Sequence, residues 1–115
     1  MIQLKRIYQA PAEADGYRVL VERLWPRGVS KEKAQLDLWM KDIAPSSQLR
    51  QWYAHDIKKW DEFQKSYWAE LEQSPEAIKQ LRKVLEKGVL TLVYASRDEQ
   101  HISAVVLKAF LEQPL

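Results

Sequence analysis

The segment Val89-Leu90-Thr91-Leu92-Val93-Tyr94-Ala95 constrains this chain more than any other. It is apolar on both alternating faces apart from Thr91, and far too short to cross a bilayer. A strand of that kind must be covered on both sides, and helical patterns flank it. Before it, Ser74-Pro75 supplies a capping residue and a proline at the first helical position. Ile78, Leu81 and Leu85 then form an apolar stripe, and Gly88 is the expected stop. After it, a last helix is expected from Glu99 to Gln113, with Ile102, Val106, Ala109 and Phe110 facing inward. Helix, buried strand and helix in succession predict a small layered α/β fold. Its sheet should be mainly parallel, of about three to five strands, and covered by helices.

Two more strands read clearly near the N-terminus. Ile2 to Ile7 places Ile2 and Leu4 on one face, and Tyr17 to Leu24 has a continuously apolar centre, Val19-Leu20-Val21. The apolar runs predict that this second strand and Val89 to Ala95 are central, parallel neighbours. The connection between the first two strands ends in the turn signal Asp15-Gly16 and is short for a parallel crossover. An antiparallel hairpin is therefore one reading, and the direction of the first strand stays open. Further on, Ser30 can cap a helical turn through Ala34, and Leu36, Leu38 and Met40 alternate as in a strand, with a helix there as the other reading. Pro45 and Ser46 open a short helix through Tyr53. Trp60, Phe63, Tyr67 and Leu71 then mark a longer amphipathic one.

Composition narrows the class. The 115 residues suit one domain, 1–115, and 46% are hydrophobic, enough for a packed core. There is no cysteine, which excludes disulfides, thiol nucleophiles and cysteine-ligated zinc. With only two histidines and no HExxH spacing, neither a metal nor a cofactor is expected. The N-terminus turns charged at Lys5-Arg6 without a signal-peptide core, so a cytoplasmic, membrane-free protein is expected. The net charge of +2 is too balanced to suggest a polyanion binder.

In open α/β sheets, ligands bind outside the carboxyl ends of the parallel strands. The second strand runs out into Arg23-Leu24-Trp25-Pro26-Arg27-Gly28, and the last into Ser96-Arg97-Asp98-Glu99-Gln100-His101. If those strands are parallel neighbours, Arg23, Arg27, Ser96, Arg97 and His101 converge. Arginines, a hydroxyl and free amides at a helix start make an oxyanion site. The plainer alternative pairs the arginines with nearby carboxylates and makes Pro26-Arg27-Gly28 a turn. His55, at a junction between helices, and His101, in the first turn of the last helix, are the candidate general bases, since imidazole titrates near neutrality.

These motifs carry a resemblance. Gly16-Tyr17-Arg18-Val19-Leu20-Val21 with Arg23-Leu24-Trp25-Pro26-Arg27-Gly28 resembles the YeaO-like branch of the bacterial family called domain of unknown function 488. Lys41-Asp42-Ile43-Ala44-Pro45-Ser46, Leu49-Arg50, His55-Asp56, Leu92-Val93-Tyr94-Ala95-Ser96 and His101 agree in order. The resemblance implies a compact cytoplasmic α/β protein and no known reaction. It also implies Asp where Glu22 stands, Asn where Ile102 stands and, frequently, Lys where Arg97 stands.

Two classes of function follow. The first is a site for a small anionic molecule, a phosphate ester or nucleotide, bound by Arg23, Trp25, Arg27, Ser96 and Arg97, with His101 or His55 moving a proton. The second is a non-enzymatic module for nucleic acid or a partner protein, built on exposed tryptophans beside Lys and Arg. The near-neutral charge counts against nucleic acid.

Overall fold

The computed structural model describes residues 1–114. The strand foreseen at Val89 is β4, Leu90–Tyr94, and all five of its residues are buried. It lies between β1, Ile2–Arg6, and β2, Tyr17–Leu20, with β3, Leu38–Trp39, beyond β2. The order is β1-β4-β2-β3, and every pairing is parallel. β2 and β4 are thus central, parallel neighbours, as their apolar runs required. The hairpin reading of β1 and β2 does not hold: β1 pairs with β4 in parallel, in register Ile2 with Leu90 and Leu4 with Leu92. Residues 7–16 carry the chain across with a single 3-10 turn, Glu13–Asp15, in place of a crossover helix.

The helices are α1, Lys31–Ala34; α2, Ser47–Tyr53; α3, Trp60–Glu72; α4, Pro75–Lys87; and α5, Ser103–Glu112. Ser30 and Ser46 cap α1 and α2 by accepting the Lys33 and Leu49 amide N–H groups. Ser74 does not cap α4; its hydroxyl donates back to the Glu70 carbonyl at 3.2 Å. α5 begins at Ser103, four residues later than expected from Glu99, and within it Ala109 is exposed while Leu107 and Leu111 are buried.

Alternation along the strands divides the interior in two. Val19, Val21, Leu90, Leu92 and Tyr94 join Phe63, Tyr67, Leu81, Val106 and Phe110 in the main core, under the helical layer. Leu20 and Val93 point the other way, into a smaller cluster with Ile7 and Ala34, closed by Trp25, Val29, Leu36 and Trp39. The one-turn α1 contributes Ala34 to that second face, the loop residues Trp25, Val29 and Leu36 cover more of it, and a polar brace completes it. Buried Asp15 accepts Lys5 Nζ at 3.0 Å and Arg18 Nη1 at 2.7 Å. Arg18, also buried, donates to the carbonyls of Gln35 (3.2 Å) and Ala34 (2.8 Å). Thr91, the polar exception in the apolar run, donates to the Asp15 carbonyl at 2.6 Å. Every polar group taken inside is thereby paired, as burial demands. Burial alone pushes the Asp15 carboxyl up, but hydrogen bonds from Lys5, the Ala12 amide and Arg18 outweigh it and hold the group below its usual range.

Candidate functional site

After β2 the chain turns outward to β3; after β4 it turns the opposite way, to α5 packed over β4 and β1. The carboxyl ends of β2 and β4 therefore bound a switch point, where open parallel sheets form a crevice. The last ladder bond there runs from the Val21 amide to the Val93 carbonyl at 3.1 Å. One residue on, the Glu22 carboxylate takes the place of a ladder carbonyl and accepts the Ala95 amide through Oε1 at 3.1 Å. The strands part at that point.

A cavity of about 340 Å³ opens beyond it, at the small end of the range for small-molecule sites. Its polar walls are Glu22, Arg50, Tyr53, His55, Ser96 and His101. Phe63, Pro45 and Ile102 supply apolar wall. The polar groups arrive from three parts of the chain: the end of β2, α2 with the turn after it, and the connection between β4 and α5. Arg50 and Tyr53 come from α2. His55 is the second of two positive-φ positions in a row, Ala54 at 46° and His55 itself at 57°. Such backbone costs about 1–3 kcal/mol per residue and persists where its surroundings enforce it.

His101 is set by its own loop. The Asp98 carboxylate accepts the amides of Gln100 (2.8 Å) and His101 (3.0 Å) through Oδ1 and faces His101 Nδ1 at 3.1 Å through Oδ2. Those two amide bonds, with the histidine ring behind them, hold the Asp98 carboxyl below its usual range. They also keep this stretch out of the helix, so His101 sits before α5, not in its first turn. Tyr53 Oη donates to the His101 carbonyl at 2.9 Å, and the Trp60 ring meets the imidazole edge-on at 5.4 Å. With Nδ1 committed to Asp98, Nε2 is the ring nitrogen left for a ligand.

Burial pushes the Glu22 carboxyl above its usual range, against the Ala95 hydrogen bond and the nearby charges of Arg50 and His55. Ile102, where the family resemblance implied Asn, occupies the N-cap of α5 with extended backbone and no side-chain acceptor to offer. It is buried in the main core instead.

Of the residues singled out in the sequence, the structure brings His55, Ser96 and His101 to this cavity. It does not bring the arginines. Arg23 points its guanidinium at the carbonyls of Ala44 and Pro45, in long contacts of 3.4 Å. Arg27 is exposed, and its carbonyl accepts the Tyr8 hydroxyl at 3.0 Å. Arg97 is exposed as well. Trp25 donates Nε1 to the Val29 carbonyl at 2.7 Å and stacks edge-on with Trp39 at 5.2 Å. The cause is the second-face cluster: it draws the Trp25 indole in, and the Pro26-Arg27-Gly28 turn follows onto that side. Among the described residues neither Arg23 nor Arg27 enters an ion pair with a carboxylate, while Arg27-Gly28 does form a turn, as the plainer alternative had it.

Sequence reasoning missed Glu22, Arg50 and Tyr53. A signal for Glu22 existed, since it is the acidic residue at the end of a central strand. Arg50 lay within a family-like segment and was passed over because α2 could not be oriented.

Elsewhere, a more open groove of about 810 Å³ runs beside β3 and the start of α4. Trp52, 42% exposed, carries Lys59 Nζ at 5.1 Å from its ring and is the aromatic–basic pair nearest to the nucleic-acid expectation. Among the described residues, no helix is long and apolar enough to cross a membrane.

A sequence model described as "Inactive DUF488-N3 subclade" matches residues 1–115. Uncharacterized protein YeaO of Escherichia coli K12 is 40% identical over 110 residues, 96% of each chain. Uncharacterized protein Rv3073c of Mycobacterium tuberculosis H37Rv is also 40% identical, over 96% of this chain and 92% of its own. No solved structure matches. With the whole chain matched and the Trp25-Pro26-Arg27-Gly28 motif in place, this protein belongs to the DUF488 family, in its inactive N3 subclade.

Proposed function

We propose that this protein binds a small anionic molecule, a phosphate ester or nucleotide, in the cavity at the β2–β4 switch point, and that it does so without turnover. The observation that carries the reading is Arg50. Its half-buried guanidinium lines the cavity and, among the described residues, enters no ion pair. Arg18 and Arg23, in contrast, are occupied by backbone carbonyls. A guanidinium presented to a small cavity is a natural partner for a phosphate or carboxylate. His55, Ser96 and His101 add further donors on the same walls.

Two points favour binding over catalysis. Ser96 Oγ accepts the Asp98 amide at 3.2 Å, and no hydrogen bond links it to either histidine, so the hydroxyl is not activated as a nucleophile. The subclade to which the chain belongs is itself described as inactive. On this reading His55 and His101 contact the ligand and do not move protons.

The test is a thermal-shift titration of the parent protein and Arg50→Ala with inorganic phosphate and AMP, with the AMP followed by phosphorus NMR. A ligand confined to the folded state stabilises it by about 2.7 kcal/mol at a hundred times Kd. The reading expects a dose-dependent rise in Tm for the parent, none for Arg50→Ala, and AMP left intact. A rise that survives in the variant, or no rise at all, overturns the binding assignment. Consumption of AMP overturns the absence of turnover.

A further inference from the structure

Glu22 is out of place in a site that only holds an anion. Its carboxylate lines the same cavity as Arg50, yet the two are too far apart to form an ion pair. A carboxylate facing a bound phosphate would repel it. Its position is nonetheless fixed. Oε1 is held by the Ala95 amide at 3.1 Å, and the Glu22 carbonyl accepts the Trp39 indole N–H at 2.7 Å. Oε2 makes no hydrogen bond among the described residues. The structure therefore presents one anchored carboxylate, largely withdrawn from water, with one oxygen left to accept. Burial raises the carboxyl above its usual range.

We infer that the ligand is two-ended: an anionic group bound by Arg50, and an organic part that donates an O–H or N–H hydrogen bond to Glu22. Inorganic phosphate fills only one half of such a site. A ribose phosphate or a mononucleotide fills both. The cavity, about 340 Å³, suits a ligand of that size and is small for a dinucleotide. Phe63 and Ile102 give the cavity apolar wall against which an organic part can rest. The separation of charges explains why cation and anion coexist here without cancelling each other: each is kept for its own end of the ligand. This inference rests on the anion-binding reading above and adds to it the chemistry of the ligand's second end.

The experiment compares inorganic phosphate, ribose 5-phosphate and AMP as probes by isothermal titration calorimetry at pH 8. The proteins are the parent, Glu22→Gln and Arg50→Ala. A glutamine keeps an oxygen for the Ala95 amide and turns its amide N–H₂ toward the ligand's donor, so the fold is retained while the acceptor is lost. A hydrogen bond to a charged group corresponds to roughly 10- to 100-fold in affinity. The parent is expected to bind at least one ester about 10-fold or more tighter than inorganic phosphate. Glu22→Gln should erase that advantage and leave phosphate binding intact, whereas Arg50→Ala should weaken all three probes. If Glu22→Gln preserves the ester advantage, or if no ester exceeds phosphate in the parent, the two-ended ligand is refuted while anion binding stands. If none of the probes binds the parent, the anion-binding reading falls and takes this inference with it.

Discussion

Gly16 joins the Asp15 brace to the first residue of β2, and replacing it by alanine should be among the most damaging small changes in the molecule. Its backbone has φ 62° and ψ −127°, a combination that side-chain-bearing residues avoid. A Cβ added there would lie 2.4 Å from the Val89 carbonyl oxygen and 2.9 Å from Val89 Cβ. Neither neighbour can yield easily, because the same Val89 oxygen accepts the Tyr17 amide at 3.0 Å where β2 joins β4. Backbone strain of about 1–3 kcal/mol adds to an overpacking cost of about 1–3 kcal/mol. The stiffer unfolded chain adds nothing to that cost and offsets about 0.4–1 kcal/mol of it. The net expectation for Gly16→Ala is a loss of about 1–5 kcal/mol, a large share of a typical stability of 5–15 kcal/mol. Urea unfolding followed by tryptophan fluorescence measures it. Gly28→Ala is the control: φ is also positive, at 73°, but nothing lies within 4 Å of the added Cβ. It should lose only the strain, about 1–2 kcal/mol. A loss below ~1 kcal/mol for Gly16→Ala, or equal losses for the two variants, would refute the argument from close approach.

Three further outcomes are expected. Leu92 is completely buried at the centre of β4, so Leu92→Ala should cost roughly 2–5 kcal/mol in urea unfolding, and a loss below ~1 kcal/mol would contradict its place in the core. Ala54→Gly should stabilise: Ala54 ends α2 in the left-handed region at φ 46° and ψ 37°, and relief of about 1–2 kcal/mol exceeds the flexibility that glycine adds to the unfolded chain. The urea midpoint should therefore rise, and a fall would refute the reading. Asp15 gives the fold an acid limb. Its folded carboxyl titrates below the unfolded value of 3.8, so its stabilisation is complete above that value and drains as pH falls through the lower folded one. Urea midpoints should drop less steeply on acidification in Asp15→Asn than in the parent; parallel curves would contradict the brace.

The fold was legible where local signals agreed with tertiary demand. The apolar run of β4, Ser74-Pro75 before it and Gly88 after α4 placed a helix and a buried strand with little ambiguity. The central pairing of β2 with β4 followed from the same logic. The direction of β1 was not legible, because the usual length rule assumes a helical crossover and residues 7–16 cross with one 3-10 turn. The start of α5 was misplaced because Asp98 binds the Gln100 and His101 amides, a side-chain competition that helical periodicity does not register. The burial of Arg18 was not legible, because it depends on Asp15, three residues before it, and on the carbonyls of Ala34 and Gln35, which only the tertiary fold brings to it.

Of the residues that the strand-end rule named, Ser96 and His101 line the cavity; His55, singled out as a titratable group at a helix junction, joins them there. The rule failed for Arg23 and Arg27 because a strand end fixes position, not the face to which the following turn folds. That choice was made by Trp25, whose indole closes the second-face cluster. Glu22, which was not among the site candidates read from the sequence, caps the parted strands and faces the cavity.

The central claim is the location of the site, and amide chemical-shift mapping of the isotope-labelled protein titrated with AMP tests it most directly. The account predicts the largest shifts at Ala95, Ser96, Ile102 and Ser103 and around Arg50 and His55, with small ones elsewhere. Shifts concentrated in the groove beside β3 and α4, around Trp52 and Lys59, or on the Arg27 turn would contradict it, as would the absence of any shift at saturating AMP.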